Sequence, residues 1–415
     1  MRILYVSQYF PPETGAPAVR CSELAREWVR LGHEVTVLTA FPHHPLGVKR
    51  PEDRGVLVRR EKVDGIDLVR TYVYATPNKG TVKRMGSYTS FMLSASLIGT
   101  VRVRRPDVVI ATSPQLLCGL AGYLLAKCKR VPFVFEVRDL WPETMVAIDV
   151  MNQGNPVIRT LRALANRLYR GCDRIVPVGE GYANSIHELY GIDRSKMSIV
   201  HNGVELDRFT PGQRDNDVRR EYAWGDKFVM MYIGTHGMCH GLDYVLRVAQ
   251  RYQNDPNKLF VFVGEGAEKD NLKQMSRQME LPNVQFIDGQ PRERIGGFYA
   301  ACDLGIVTLR KSERFQEVLP SKIFEYLAME RPIVLSVDGE ARKLVEQAGA
   351  GKFVPPEDVD AMVAAIEELG GDLHRLTRMG REGRAYVGTH FDRRQLAKKY
   401  LTILEAVRAG EQPSA

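Results

Sequence analysis

The sequence predicts an α/β protein made of two doubly wound domains, each a mostly parallel sheet covered by helices. Its 415 residues exceed what one hydrophobic core usually organises, so two domains are expected. From the N-terminus, short apolar runs alternate with segments of helical periodicity, which is the pattern of βαβ units. The alternation lapses near Pro211 and then resumes, which predicts a domain boundary there.

The first domain is expected to span 1–210 and the second 211–392. Apolar runs predict first-domain strands at 3–7, 34–39, 107–111, 133–137, 174–178 and 197–200, with a helix at 17–31. In the second domain they predict strands at 228–233, 259–263, 284–287, 304–308 and 332–336, with a helix at 242–252. A last helix at 393–410 follows the second sheet and is expected to pack back onto the first domain.

The charge balance favours an anionic partner. Lys and Arg outnumber Asp and Glu by 58 to 50, which gives a net charge of +8. Nucleotide phosphates, nucleic acid and an acidic membrane surface all fit that charge. The basic residues show no aromatic interleaving and no RNA-binding signature, so nucleic-acid binding is the weakest of the three.

Cysteine usage and the N-terminus favour a reducing cytosol. The six cysteines are scattered singly without a CxxC pair, and the apolar run after Arg2 is too short for a signal peptide.

The segment 86–101 has no charged residue but is flanked by basic ones. It is too short and too rich in Ser and Thr for a membrane span. Two interpretations stay open: a core helix, or a helix that lies in a bilayer surface with its basic flanks on anionic headgroups. The flanking residues are Lys83, Arg84, Arg102, Arg104 and Arg105.

A short helix is predicted from Ser321, and its start is a candidate phosphate site. Ile323, Phe324, Leu327 and Ala328 share one face and predict the core side. The opposite face, expected to meet solvent, carries Lys322, Glu325, Tyr326 and Met329. A helix start offers free N–H groups and a positive dipole end, and Lys322 adds a full charge. The alternative is that Lys322 and Glu325 form an ordinary surface pair.

Other candidates follow the predicted strands, where open α/β sheets bind ligands. The loop "GTHGMCHG" combines glycines with Thr235, His236 and His240 and suits a diphosphate better than a metal. Glu265 lies in a second glycine loop, and Gly15 precedes the first helix, where a tight turn is the simpler explanation. Arg138 and Asp139 follow the run 133–137 and could face a cleft or form a local ion pair.

Taken together, these motifs resemble the retaining glycosyltransferases of family four, which have the GT-B fold. The resemblance rests on "PPETG", "HNGVELDRF", "VGEGAEKDNL", "NVQFIDGQPRERIGGFYAACDLGIV" and the E-x7-E spacing of Glu317 and Glu325 in "EVLPSKIFEYLAMERPIV". "RDLWPE" and "GTHGMCHGL" resemble the bacterial branch that builds O-antigens, capsules and exopolysaccharides, including N-acetylfucosaminyltransferases.

This resemblance implies two Rossmann-like domains that face a cleft. It implies a nucleotide diphosphate sugar in the second domain, with UDP-sugars favoured, and an acceptor in the first. Such acceptors are often polyprenyl-diphosphate-linked saccharides at the inner membrane surface, so a cytoplasmic, peripheral location is expected. No cofactor, no metal and no nucleic acid is expected. Nucleotide-sugar 2-epimerases share this architecture and remain the alternative.

The resemblance also implies roles for individual residues. Lys322, Glu317 and Asp139 are the catalytic candidates: Lys322 at the donor diphosphate, the other two near the donor sugar. Glu325 would accept hydrogen bonds from the ribose. His240 stands about where many relatives have a lysine, which suggests a pH-sensitive contact. The donor-binding candidates are Gly15, Arg138, Thr235, His236, His240, Glu265, Ser321 and Glu325.

Overall fold

The computed structural model describes residues 1–13, 15–43, 47–76, 81–147 and 152–411, and it divides into two compact units. One unit comprises Met1–His201 with the C-terminal residues from Arg393 onward, and the other comprises Asn202–Asp392. Each unit is built on its own sheet.

The first unit has a seven-stranded sheet of order β3-β4-β2-β1-β5-β6-β7. All pairings are parallel except β3 with β4. Its strands are β1 (Arg2–Val6), β2 (Glu34–Ala40), β3 (Val58–Val63), β4 (Ile66–Thr71), β5 (Val108–Thr112), β6 (Phe133–Val137) and β7 (Arg174–Pro177). Its helices are α1 (Ala16–Arg30), α2 (Thr81–Arg102), α3 (Leu116–Lys129), α4 (Glu143–Ala147), α5 (Pro156–Gly171) and α6 (Glu180–Tyr190).

The second unit has a six-stranded, wholly parallel sheet of order β10-β9-β8-β11-β12-β13. Its strands are β8 (Phe228–Ile233), β9 (Lys258–Val263), β10 (Val284–Ile287), β11 (Leu304–Thr308), β12 (Ile333–Ser336) and β13 (Gly351–Phe353). Its helices are α7 (Asp217–Glu221), α8 (Leu242–Gln250), α9 (Lys269–Gln278), α10 (Ile295–Ala301), α11 (Lys322–Ala328), α12 (Glu340–Gln347), α13 (Val359–Gly370) and α14 (Leu373–His390).

The predicted strands of both sheets are confirmed within about one residue, with one exception. The run 197–200 is not a strand, since Met197 forms only a single bridge to Ile175. The structure adds the β3–β4 hairpin and the three-residue β13, which the sequence analysis missed. Strand β3 is a half-exposed edge strand with four consecutive charged residues, so it lacks the apolar run that marks buried strands.

The last helix, α15 (Arg393–Ala409), packs in the core of the first unit. The indole Nε1 of Trp28 donates a hydrogen bond to the carbonyl of Ala397 at 3.0 Å, and the Trp28 ring meets Tyr400 edge-on at 5.4 Å. At the start of the helix, Arg393 forms a buried 2.8 Å ion pair with Glu23.

The second unit begins at Asn202, earlier than the predicted 211. Val204 pairs with Asp392 by a β-bridge, and Phe209 packs against Tyr299 with ring centroids 5.8 Å apart. These contacts make 202–210 part of the second unit. The apolar pattern could not show this, because the segment has no regular periodicity.

Helix α2 contains the uncharged segment 86–101, and its two faces differ. Tyr88, Phe91 and Ala95 lie in the core. Leu93, Leu97 and Val101 recur every four residues on the opposite face and are 54%, 70% and 78% exposed. In the described parts of the chain, no helix combines the length and the hydropathy that crossing a bilayer requires.

A buried ion pair joins three parts of the first unit. Glu136 on β6 is fully buried and accepts hydrogen bonds from Arg20 of α1 at 2.9 Å and from the hydroxyl groups of Tyr5 and Thr112. Arg20 also donates to the carbonyls of Val200 and His201. The pair therefore fixes α1, the centre of the sheet and the end of the first segment of this unit together.

We expect Glu136→Ala to destabilise the first unit by about 3–5 kcal/mol, because it leaves the Arg20 guanidinium buried without its counter-charge. Chemical denaturation of the purified protein measures this loss. Arg251→Ala, which breaks an exposed ion pair to Asp360, is the control and should have a much smaller effect. Equal losses in the two variants would show that the buried pair stabilises the protein no more than the exposed pair does.

Candidate functional site

Three neighbouring loops of the second unit bring most of the predicted site residues together. Strands β9, β8 and β11 are adjacent, so the loops that follow them meet at the carboxyl edge of the sheet. The His236 N–H donates to the carbonyl of Glu265 at 2.8 Å, and the Arg310 N–H donates to the carbonyl of Cys239 at 2.8 Å. The predicted residues on or beside these loops are Thr235, His236, His240, Glu265, Glu317, Ser321, Lys322 and Glu325.

Glycines allow the first two loops to touch through their backbones. Gly234 and Gly264 have φ values of +141° and +145°, which side chains rarely tolerate. A Cβ atom on Gly264 would lie 2.0 Å from the carbonyl oxygen of Gly234, and one on Gly266 would lie 2.3 Å from that of His236. The glycines are therefore required by the packing of the two loops.

The ammonium group of Lys322 lies buried between these loops. It sits 3.6 Å from the centroid of the Tyr232 ring and has no hydrogen-bond partner among the described residues. Burial lowers the pKa of Lys322 to about 7, against smaller opposite effects of Cys239 and Glu325. A buried ammonium group held only by an aromatic face is poorly compensated, and an anion would compensate it.

The structure corrects the predicted solvent face of α11. Tyr326 and Met329 are fully buried, and the Tyr326 hydroxyl donates to the carbonyl of Met231 at 2.6 Å. The helix lies between the sheet and α14, so it buries two faces where the sequence pattern predicted one. Ser321 is exposed, and its side chain does not cap the helix.

The burial and the pKa values of His236 and His240 differ from what the sequence predicted. The His236 ring is fully buried against Phe262 and Phe286, so it cannot reach a ligand at the surface without rearrangement. Burial, with nearby Lys269 and Lys322, lowers the pKa of His236 to about 4. Burial and Lys322 likewise lower the pKa of His240 to about 3. Both rings are neutral near pH 7, so His240 is not a pH sensor in that range.

Each carboxylate near the loops contacts a neighbouring group. Glu325 is half-buried and accepts a hydrogen bond from the Tyr299 hydroxyl. Glu265 accepts from Lys269 at 2.8 Å and from the Gly289 N–H at 2.9 Å. Although partial burial opposes it, these bonds lower the pKa of Glu265. Glu317 is half-buried at the end of the 3₁₀ turn Glu313–Glu317.

Three predicted residues belong to the first unit. Gly15 precedes α1 in an extended conformation and meets only Pro17 at an ordinary distance, so nothing local requires a glycine. Arg138 follows β6, and its buried Nε and Nη1 have no partner among the described residues. Burial lowers its pKa, against the effect of Glu136. Asp139 accepts a 2.5 Å hydrogen bond from Thr144, and burial raises its pKa.

The sequence analysis missed several groups that shape the site. Tyr232 lies under the Lys322 ammonium group, Tyr299 binds Glu325, and Lys269 holds Glu265. A tyrosine, with its polar hydroxyl, within the otherwise apolar run "FVMMYI" was the one available signal. Within the described ranges, no three His, Cys, Asp or Glu side chains converge as metal ligands.

Comparison with known proteins identifies the family. Residues 15–203 match the glycosyl transferase 4-like domain, and residues 214–386 match the glycosyl transferases group 1. The chain belongs to these glycosyltransferases. It is 28% identical to the probable glycosyltransferase WbjE of Pseudomonas aeruginosa over 68% of this chain and 70% of WbjE. It is 26% identical to the putative colanic acid biosynthesis glycosyl transferase WcaI of Escherichia coli K12, over 89% of this chain and 92% of WcaI.

The fold comparison agrees with the predicted GT-B class. The structure of Anabaena HepE in complex with UDP and glucose superposes with a TM-score of 0.74 at 16% identity, covering 98% of this chain and 100% of HepE. Two α/β units with parallel sheets and this similarity confirm the GT-B fold of the glycosyltransferase.

We expect Gly264→Ala to destabilise the second unit of the glycosyltransferase by more than about 2 kcal/mol, because the new Cβ collides with the Gly234 carbonyl. Equilibrium denaturation measures the change. Gly296→Ala is the matched control, since its Cβ meets nothing within 4 Å and it lies in α10. Similar melting of both variants would contradict the backbone contact between the loops.

Proposed function

We propose that this glycosyltransferase transfers a sugar, with retention, from a nucleoside diphosphate sugar to a polyprenyl-diphosphate-linked saccharide in cell-surface polysaccharide synthesis. A UDP-sugar is the favoured donor, and an N-acetylamino sugar such as N-acetylfucosamine is a candidate for the transferred group. The naming of WcaI as a colanic acid enzyme supports the pathway class, and the UDP bound to HepE supports the donor class.

The buried ammonium group of Lys322 is the observation that carries this proposal. It lies where the loops after β8 and β11 meet, it contacts a ring face, and no carboxylate among the described residues forms a hydrogen bond with it. A donor diphosphate would supply the missing counter-charge. As the bond between the sugar and the phosphate breaks, negative charge builds on the leaving nucleotide, so the cation stabilises the transition state more than the bound donor.

The remaining donor contacts of the second unit follow from the same placement. Glu325, oriented by Tyr299, would accept hydrogen bonds from the ribose, and Glu317 would lie near the donor sugar. Thr235, Ser321 and Glu265 complete the donor contacts in the second unit. For the first unit, the family resemblance suggests Gly15 and Arg138 as donor contacts and Asp139 as a carboxylate near the sugar. His240 contributes as a neutral group, because of its low pKa.

Retention is proposed to occur by front-face substitution. The acceptor hydroxyl attacks the anomeric carbon on the side of the departing phosphate, and that phosphate takes the acceptor proton. This scheme needs no nucleophilic carboxylate, and it gives Lys322 the task of holding the leaving group in place.

We expect the affinity for a UDP-sugar to fall as the pH rises above about 7. Lys322 must carry its proton to bind the diphosphate, and its pKa in the free protein is about 7. The loss should approach roughly tenfold per pH unit, with a plateau below pH 7. Lys322→Met should bind at least about tenfold more weakly at pH 6.5 and lose the pH dependence. Isothermal titration calorimetry with several UDP-sugars between pH 6 and 9 measures both effects.

Lys311→Met is the control. It replaces an exposed lysine in the loop after β11 and should behave as wild type. An unchanged pH profile in Lys322→Met would assign the titration to another group. Free nucleotide released only in the presence of a lipid-linked acceptor supports transfer, whereas epimerised donor formed without an acceptor supports the 2-epimerase.

The outer face of α2 is proposed to contact the inner membrane surface. The stripe of Leu93, Leu97 and Val101 is exposed and apolar. Arg102 and Arg104 follow it and are exposed, so they can meet anionic headgroups. Arg105 instead donates to the carbonyls of Lys129 and Arg130 and holds the end of α3. An apolar stripe with a basic flank is typical of helices that lie in the bilayer interface.

We expect Leu97→Glu to abolish most co-sedimentation with vesicles of phosphatidylcholine and phosphatidylglycerol, because a charge replaces the most central apolar side chain of the stripe. Leu373→Glu is the control: this leucine is 64% exposed on α14 and should not affect binding. Wild-type protein that stays in the supernatant, or equal pelleting of both variants, would rule out this face.

A further inference from the structure

Arg84 is a further cation for which the described residues supply no ion pair. It lies near the start of α2 on the face that carries Tyr88, Phe91 and Ala95, so its side chain extends the buried side of the helix. Its Nε is shielded from solvent and has no hydrogen-bond partner among the described residues. Its Nη2 makes one long hydrogen bond, 3.4 Å, to the Tyr88 hydroxyl.

Arg84 as a whole is half-exposed, but its shielded Nε is costly to leave without a partner. Buried N–H donors are almost always paired, and an unpaired one loses its hydration without compensation. Two buried arginines of the first unit have carboxylate partners, since Arg20 pairs with Glu136 and Arg393 pairs with Glu23. Arg138, like Arg84, has shielded nitrogens without a partner among the described residues. Arg84 therefore points to an acceptor group that the described part of the chain does not supply.

The position of Arg84 is at the carboxyl edge of the first sheet, beside the loop after β1. Gln8 in that loop contacts Ser87 on the next turn of α2 at 3.4 Å. Tyr9 lies close enough for Arg84 to oppose the rise that burial causes in the Tyr9 pKa. The carboxylate of Glu13 accepts hydrogen bonds from the backbone N–H groups of Phe10 and His43.

Aromatic side chains border the same place. The rings of Tyr88 and Trp141 meet edge to face at 6.1 Å, and Tyr9 packs against His43 at 5.8 Å. Arginine binds phosphate through parallel N–H groups, and aromatic walls suit the apolar faces of a sugar or an isoprenoid chain. A phosphate attached to such a group fits this combination.

We propose that Arg84 binds the phosphate of the lipid-linked acceptor. This inference rests on the proposed function and adds a residue that recognises the acceptor. The placement on α2 is consistent with a lipid carrier, because the inner face of the helix presents Arg84 while its outer face presents the apolar stripe.

The test measures binding of farnesyl diphosphate to the full-length protein by calorimetry, with UDP saturating so that the donor site is filled. Arg84→Gln should weaken binding at least tenfold, and Arg84→Lys should restore part of it. Arg159→Gln, an exposed arginine on α5, should bind as wild type does. Farnesol, which lacks the phosphates, should bind wild type and Arg84→Gln equally weakly. Thermal melts establish that each variant is folded.

Equal farnesyl diphosphate affinity in wild type and Arg84→Gln would overturn the inference, and so would farnesol binding as tight as that of the diphosphate. Wild type that binds UDP but not farnesyl diphosphate would also overturn it, while leaving the proposed donor chemistry intact. Wild type that binds none of the nucleoside diphosphates would instead defeat the proposed function. The UDP titration therefore separates the two failures.

Discussion

The second unit holds a buried ammonium group, that of Lys322, which has no hydrogen-bond partner among the described residues. Lys322 is fixed because α11 lies between the sheet and α14, with the Tyr326 hydroxyl bonded to the carbonyl of Met231. Its ammonium group then lies over the Tyr232 ring, and no described residue forms a hydrogen bond with it. Folding alone gives no reason to bury a charge in this way, since the uncompensated desolvation is unfavourable. An anionic ligand supplies that reason.

The position of the candidate site at the carboxyl edge of the second sheet also explains the glycines in its loops. Three parallel strands end side by side, so their loops must share a small space above the sheet. Gly234 and Gly264 resolve the crowding by bringing backbone against backbone, which holds the loop from Thr235 to Gly241 beside the start of α11. A preorganised loop of this kind costs little further ordering when a ligand binds.

The sequence was sufficient for most buried parallel strands but not for the edge strands or the site environment. Buried parallel strands are near-continuous apolar runs, so their positions and the loops after them could be predicted. The burial of Lys322 could not, because a seven-residue helix gives no sign that it packs on two sides. The low pKa of His240 likewise depends on its burial and on the nearby Lys322, which is 82 positions away in the chain. Arg84 looked like a basic flank because its partner loop after β1 is distant in sequence.

Helix α2 shows why the choice between a core helix and a surface helix was too narrow. A helix repeats every 3.6 residues, so one face can be held in the core while the opposite face stays exposed. Tyr88, Phe91 and Ala95 fix the rotation of the helix about its axis. That rotation sets both the outward stripe at Leu93, Leu97 and Val101 and the inward direction of Arg84. An acceptor with an isoprenoid tail and a diphosphate presents the same two chemistries next to each other, and a single rigid helix can meet both without any movement of the fold.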